Sequence, residues 1–218
     1  MLKIKASAPA KLILCGEHAA VFFQPAIVMA IDKQAYVTVE PRRDQAIFIK
    51  SQNLGLAGLY ERNSFKPKIG GAAAKNKLEP IKIAAEKTIK LAKKRIGINI
   101  SIDSNIPVAS GLGSSAAVAV ATIAATGRIL DLKLSKERIC ALAYEAEKIM
   151  HYHPSGIDNY ISTYGGINVF RRGKGFTPIQ TKKIIPLVIG NTQIPRSTGK
   201  LVSHVHSLKI HYPKVVNP

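Results

Sequence analysis

The sequence has no tryptophan, two cysteines and thirteen acidic residues among 218. Each shortage narrows the reading. Without tryptophan, the core must rest on aliphatic side chains. The two cysteines, Cys15 and Cys140, sit in apolar surroundings without CxxC spacing; a single disulfide between them is the alternative to what is expected, two buried thiols in a reducing cytoplasm. No uninterrupted apolar run reaches the roughly 20 residues that span a bilayer. The opening Met1-Leu2-Lys3-Ile4-Lys5 lacks the apolar stretch and small-residue cleavage site of a secretory signal and reads as a strand. The expectation is a cytoplasmic protein with no membrane association.

The scarcity of acids leaves 32 Lys+Arg unbalanced, for a net charge of +19. Such a charge raises nucleic acid as a partner. The bases are scattered, however, and their densest run, Lys93-Lys94-Arg95, closes a predicted helix, where cations meet the negative end of the dipole. There is no zinc-finger spacing, no aromatic-plus-basic RNA-binding signature and no basic arm. The charge is therefore expected to be a solvated lysine surface that attracts small anions, with no nucleic-acid partner. A hydrophobic fraction of 46% is that of a folded domain.

Along the chain, Ile4 and Leu12-Ile13-Leu14 predict two strands separated by Ala8-Pro9-Ala10. Ala26 to Ile31 and Tyr36 to Val39 follow, with Ile47-Phe48-Ile49 as a hairpin partner beyond the turn at Pro41-Arg42-Arg43-Asp44. Residues 51–77 are polar and poorly periodic and read as loop with at most short elements. A helix is predicted to open at Pro80, with Ile81, Ala84, Ala85, Thr88 and Leu91 on one face. Ile98, Ile100 and Ile102 alternate with polar residues, a half-buried strand. Ser114 to about Leu130 is small and apolar, as in a tightly packed interior helix. Ser135 caps a further helix. Ile157 to Tyr164 resumes helical periodicity until Gly165-Gly166, and Ile167 to Phe170 and Ile184 to Ile189 read as strands. The Gly, Lys and Pro content of 173–183 marks a domain boundary.

The segment Pro107-Val108-Ala109-Ser110-Gly111-Leu112-Gly113-Ser114-Ser115-Ala116 joins a strand to a helix. Gly111 and Gly113 let the backbone come close to a ligand. The helix start beyond them offers free N–H groups and a positive dipole end, an anion site. The hydroxyls of Ser114 and Ser115 lie where a magnesium ion on bound phosphates is within reach. No lysine follows the second glycine, so this is not a Walker A loop.

This string resembles the phosphate-binding second motif of the galactokinase–homoserine kinase–mevalonate kinase–phosphomevalonate kinase (GHMP) superfamily. Ala8-Pro9-Ala10-Lys11-Leu12-Ile13-Leu14-Cys15-Gly16-Glu17-His18 is similar to its first motif in mevalonate kinase form. His151-Tyr152-His153-Pro154-Ser155-Gly156-Ile157-Asp158-Asn159, with Ser162-Thr163-Tyr164-Gly165-Gly166, resembles the substrate and catalytic segment of that family. Asn191-Thr192-Gln193-Ile194-Pro195-Arg196-Ser197-Thr198 looks like the opening of its second domain.

The resemblance implies a set of roles. Asp158 is the base or hydroxyl-orienting group, and Lys11 pairs with it and offsets charge on the transferred phosphoryl group. ATP lies on Pro107, Ala109, Ser110, Gly111, Leu112, Gly113, Ser114, Ser115 and Ala116. Ser115 and Glu147 are the Mg2+ ligands, with Ser114 the neighbouring alternative. Glu17, His18, Ser155, Arg196 and Thr198 line the substrate site, and a homodimer is allowed. Three positions depart from the family pattern. Ala10 stands where glycine is usual, His153 where asparagine is usual, and Phe22-Phe23-Gln24 where an aromatic-glycine-lysine run is common. No third, glycine-rich motif follows Thr198, and the chain ends about where a long helix hairpin is expected to continue.

The fold class implied is α+β. Residues 1–180 form an N-terminal ATP-binding and catalytic domain resembling ribosomal protein S5 domain 2, and residues 181–218 the start of an incomplete ferredoxin-like second domain. The reaction implied is ATP-dependent phosphorylation of mevalonate to 5-phosphomevalonate in isoprenoid biosynthesis. The alternatives are a truncated, non-catalytic nucleotide-binding fragment, or another kinase of the superfamily such as phosphomevalonate kinase or galactokinase.

Overall fold

The computed structural model describes residues 2–62, 64–94, 96–150, 155–192 and 198–212. Its frame is one mixed sheet of eight strands: β1 (Ile4–Cys15), β2 (Ala26–Arg42), β3 (Ile47–Ser51), β4 (Leu56–Glu61), β5 (Ser64–Ile69), β6 (Gly97–Ser104), β7 (Ile167–Arg171) and β8 (Gly175–Ile179). The long β2 is the spine. One edge pairs with β1 over most of its length; the other is shared by β6, against Ala35 to Arg42, and β7, against Ala26 to Met29. The path across the sheet runs β5-β4-β3-β6-β2-β7-β8. Among the described residues five α-helices accompany the sheet: α1 (Ala74–Leu91), α2 (Ser114–Ile129), α3 (Lys136–Met150), α4 (Ile157–Tyr164) and α5 (Thr198–His211).

Helix α2 is the axis of the core. Alanine, valine and glycine make its surface thin, so it packs at once against β1, β2, α1, α3 and α4. Its N-terminus is thereby fixed over the middle of β1, where the site forms. Ser135 Oγ accepts from Arg138 N at 3.3 Å, the cap expected for α3. Among the described residues no helix is long and apolar enough to cross a membrane.

Several local expectations are corrected. Residues 4–15 form one strand, because a register shift between Pro9 and Ala10 absorbs the missing proline N–H without ending the pairing. Residues 26–42 are likewise continuous. β3 does not return on β2; it lies parallel to β6 and antiparallel to β4. Of the segment read as loop with at most short elements, much is regular: it holds two six-residue strands, β4 and β5. Gly58, a loop signal in sequence, is a strand residue whose missing Cβ leaves room for the Phe65 ring across the hairpin. Helix α1 begins at Ala74 and carries Pro80 inside it. Ile184 to Ile189 are not a strand. Ile184 and Val188 stand fully exposed, with no neighbouring strand among the described residues to supply hydrogen bonds. The thiols are not buried either: Cys15 is exposed and Cys140 half-buried, both free.

Candidate active site

Lys11 enters from the middle of β1. Its backbone N donates to Leu112 O at 2.9 Å, which fastens the glycine loop to the strand. Its side chain runs inward, leaving the residue 8% exposed, and Nζ donates to Gly111 O at 3.1 Å. The same Nζ meets Asp158 Oδ1 at 2.9 Å. Asp158 is in the first turn of α4, which opens from Gly156 in a left-handed conformation, φ 78°. A carboxylate there is favoured by the helix dipole. Ser162, one turn later, donates its hydroxyl to Pro9 O at 3.0 Å and ties α4 to β1 beside the lysine.

The glycine loop lies against this pair. Gly113, the N-cap of α2, has φ 71°, and a Cβ built there would come within 3.4 Å of Lys11 Cβ and 3.5 Å of Asp158 Cγ. Ser110 Oγ donates to Pro107 O at 2.8 Å and closes the turn below. The first helical hydrogen bond runs from Ala117 N to Gly113 O. The N–H groups of Ser114, Ser115 and Ala116 therefore precede any intrahelical partner, next to the Lys11 ammonium. This is an anion cradle with a lysine–aspartate pair at its floor.

Behind the cradle is a narrow, mostly apolar cleft between α2, α3 and α4, into which Ser115, Glu147 and Asn159 bring the polar groups. Glu147 Oε2 is buried with no hydrogen-bond partner among the described residues. Burial, then the Asp158 carboxylate, pushes the Glu147 carboxyl up to about 7; Lys11 pulls the other way. Asn159 also opposes the rise, close enough to be felt, yet neither Oδ1 nor Nδ2 of its side chain meets hydrogen-bond geometry with any partner among the described residues. A half-buried carboxyl with an unsatisfied oxygen, facing a serine hydroxyl at a phosphate cradle, fits a magnesium ion. That ion keeps several waters and needs few protein ligands. Among the described residues no group of three or more His, Cys, Asp or Glu forms a self-sufficient metal cage.

Lys11, Asp158, the glycine loop, Ser115 and Glu147 are thus brought together. Glu17 and His18 follow the end of β1; Glu17 is exposed, and His18 is partly buried at the entry to a short 3₁₀ turn (Ala19–Phe22). Ser155 is exposed, its hydroxyl accepting from Ile157 N at 3.3 Å. Arg196 lies outside the described residues, as does the Thr198 side chain. Asn159 was not singled out in sequence. The one available signal was its place as a polar residue between Ile157 and Ile161 on a short amphipathic helix.

A family profile described as the GHMP kinases N terminal domain matches residues 79–166. The mevalonate kinase of Pyrococcus horikoshii is 40% identical over 99% of this chain and 64% of its own length. That of Pyrococcus furiosus is 38% identical over 100% of this chain and 66% of its own. A crystal structure of L. major mevalonate kinase in complex with R-mevalonate superposes with a TM-score of 0.75 and 28% identity, covering 96% of this chain and 62% of that one. The chain therefore spans 64% of the length of the Pyrococcus horikoshii relative. Over nearly its whole length the chain is thus similar in sequence and in fold to the mevalonate kinases, with the GHMP kinases N terminal domain profile matching its middle.

Proposed function

We propose that the chain carries the nucleotide cradle and catalytic pair of a kinase that transfers the γ-phosphoryl group of ATP to mevalonate, giving ADP and 5-phosphomevalonate. The observation that carries this reading is the Lys11–Asp158 pair, 2.9 Å apart, directly beneath Gly113 of the loop. The relatives named as mevalonate kinases supply the acceptor.

In this reading the phosphates of ATP rest on the free N–H groups at the start of α2. Asp158 orients the primary hydroxyl of mevalonate and accepts its proton as the oxygen attacks phosphorus. Lys11 holds Asp158 in place and offsets negative charge on the moving phosphoryl group. Ser115 and Glu147 hold Mg2+, which neutralises charge on the phosphates when bound. Glu17, His18 and Ser155 line the acceptor side, with Arg196 and Thr198 reaching in from the following segment. Residues 1–180 are the ribosomal-protein-S5-like catalytic domain, and residues 181–218 open a ferredoxin-like second domain. Two observations support the division: β8, the last strand among the described residues, ends at Ile179, and the described residues between it and α5 carry no regular structure. A cytoplasmic enzyme that assembles as a homodimer completes the reading.

The test is ADP formation from ATP with mevalonate, 5-phosphomevalonate or galactose offered separately, for the protein and for Asp158→Asn. Mevalonate-dependent turnover that falls at least a hundredfold in the variant, with ATP binding retained, supports the assignment. A loss under tenfold refutes the role of Asp158. Turnover with another acceptor alone replaces mevalonate, and ATP binding without any turnover favours a nucleotide-binding fragment.

A further inference from the structure

Asn159 is the most deeply buried polar side chain next to the site, fully inaccessible, and among the described residues neither its Oδ1 nor its Nδ2 has a hydrogen-bond partner. A primary amide buried in that way is costly unless a partner arrives in another state of the protein. Its backbone is firmly placed, since Asn159 O accepts from Thr163 Oγ1 at 2.7 Å within α4. The side chain faces the cleft that also holds the Ser115 hydroxyl and the unpartnered Glu147 Oε2. The rest of the described lining is alanine and proline, so among the described residues these groups have only one another and whatever enters.

The chemistry of the three is complementary. Ionised as a metal ligand, Glu147 offers acceptors only, and its buried oxygen needs a donor. Water bound to a magnesium ion is a donor only, because its oxygen is committed to the metal, and so it needs acceptors around it. A carboxamide is the side chain that provides one of each. We propose that Asn159 is a positioning residue of the metal site: its Nδ2–H group holds Glu147 Oε2, and its Oδ1 accepts from metal-bound water. Asn159 touches neither the phosphates nor the acceptor. It fixes the carboxylate that does the ligation, as outer-shell groups do in metal sites generally. This inference rests on the assignment of Ser115 and Glu147 as metal ligands.

The experiment measures the dissociation constant of ATP twice, once with chelator and once with saturating Mn2+, in the full chain and in three variants. The ratio of the two constants reports the metal's share of binding and does not depend on turnover. Asn159→Leu, close in size, should lower that ratio about 10- to 100-fold, while the affinity for metal-free ATP stays within about twofold on the N–H cradle it does not touch. Where Asn159→Leu does not fold by circular dichroism, Asn159→Ala, which leaves space rather than a clash, is read by the same criterion. A ratio unchanged within about twofold, together with a tenfold or greater loss in Glu147→Gln, overturns the role of Asn159 and leaves the metal assignment standing. An unchanged ratio in Glu147→Gln as well, or no tightening by Mn2+ in the unaltered chain, overturns the metal assignment and the inference with it.

Discussion

Glu147 is a carboxyl whose surroundings work against its charge, and the consequence is measurable without substrate. Desolvation first, and the Asp158 carboxylate second, raise its pKa from the ordinary 4.5 to about 7. The folded chain therefore keeps a proton on Glu147 where the unfolded chain has already released it. Between about pH 4.5 and 7 the native state binds more protons than the unfolded state, so this group's contribution to stability is complete below that window and is lost as pH rises through it. A shift of that size corresponds to roughly 3 kcal/mol at about 1.4 kcal/mol per pH unit. Glu147 is only partly buried, and solvent screening reduces the figure to about 1–2 kcal/mol.

Glu147→Gln keeps the shape of the side chain and removes the charge. The variant should match the unaltered chain near pH 4.5 and exceed it by about 1–2 kcal/mol at pH 8, a rise in melting midpoint of about 2–8 °C for a chain of this size. The assay is thermal unfolding of both proteins from pH 4.5 to 8 without nucleotide or metal. The difference between the two curves cancels the titrating groups that do not interact with Glu147. Curves that stay parallel, or a variant less stable at pH 8, refute the reasoning. Saturating MgATP should reverse the order at pH 8, because ligation then stabilises the unaltered chain more than the variant.

Other changes probe the rest of the site. Lys11→Met should lower turnover about 10²–10⁴-fold, because Asp158 loses its orienting partner; a loss under tenfold would detach the ion pair from the chemistry. Gly113→Ala forces a Cβ into a left-handed conformation, at a cost of about 1–2 kcal/mol. Thermal unfolding should show a midpoint about 2–8 °C lower, and an unchanged midpoint would mean the loop relaxes freely. Phe22 stacks on the His206 ring, centroids 6.1 Å apart, and carries Lys209 Nζ at 4.2 Å from its centre, so it links the 3₁₀ turn to α5. With a cation–π contact worth about 0.5–1 kcal/mol, Phe22→Ala should speed limited proteolysis between residues 180 and 192 about two- to fivefold; an equal rate would show that this contact does not hold the segment.

What could be read from the sequence follows the range of the forces involved. The alternation of Ile98, Ile100 and Ile102 is a local signal, and β6 is where it points; the same is true of the small-residue run that becomes α2. Strand partners are not local. β3 reads as a return on β2, but the chain between β5 and β6 passes through α1 and delivers β6 alongside β3 in parallel. Gly58 and Pro80 are breakers in isolation, yet each is tolerated inside an element. At Gly58 the reason is Phe65, a residue across the hairpin that no window around the glycine reveals. The site divides in the same way. Lys11, the glycine loop and Asp158 sit in strings distinctive enough to be recognised, whereas Asn159 beside Asp158 reads as ordinary helix polarity. Its burial depends on α4 packing against α2 and α3 together. Consecutive residues of a helix point roughly 100° apart, so a single turn can serve two sites. Asp158 turns to the lysine on β1, and Asn159 to the glutamate on α3. The hydroxyl-activating pair and the metal-facing cleft are thus set by the orientation of one short helix. A shift of α4 should therefore disturb both functions at once, whereas a change at either side chain alone disturbs one.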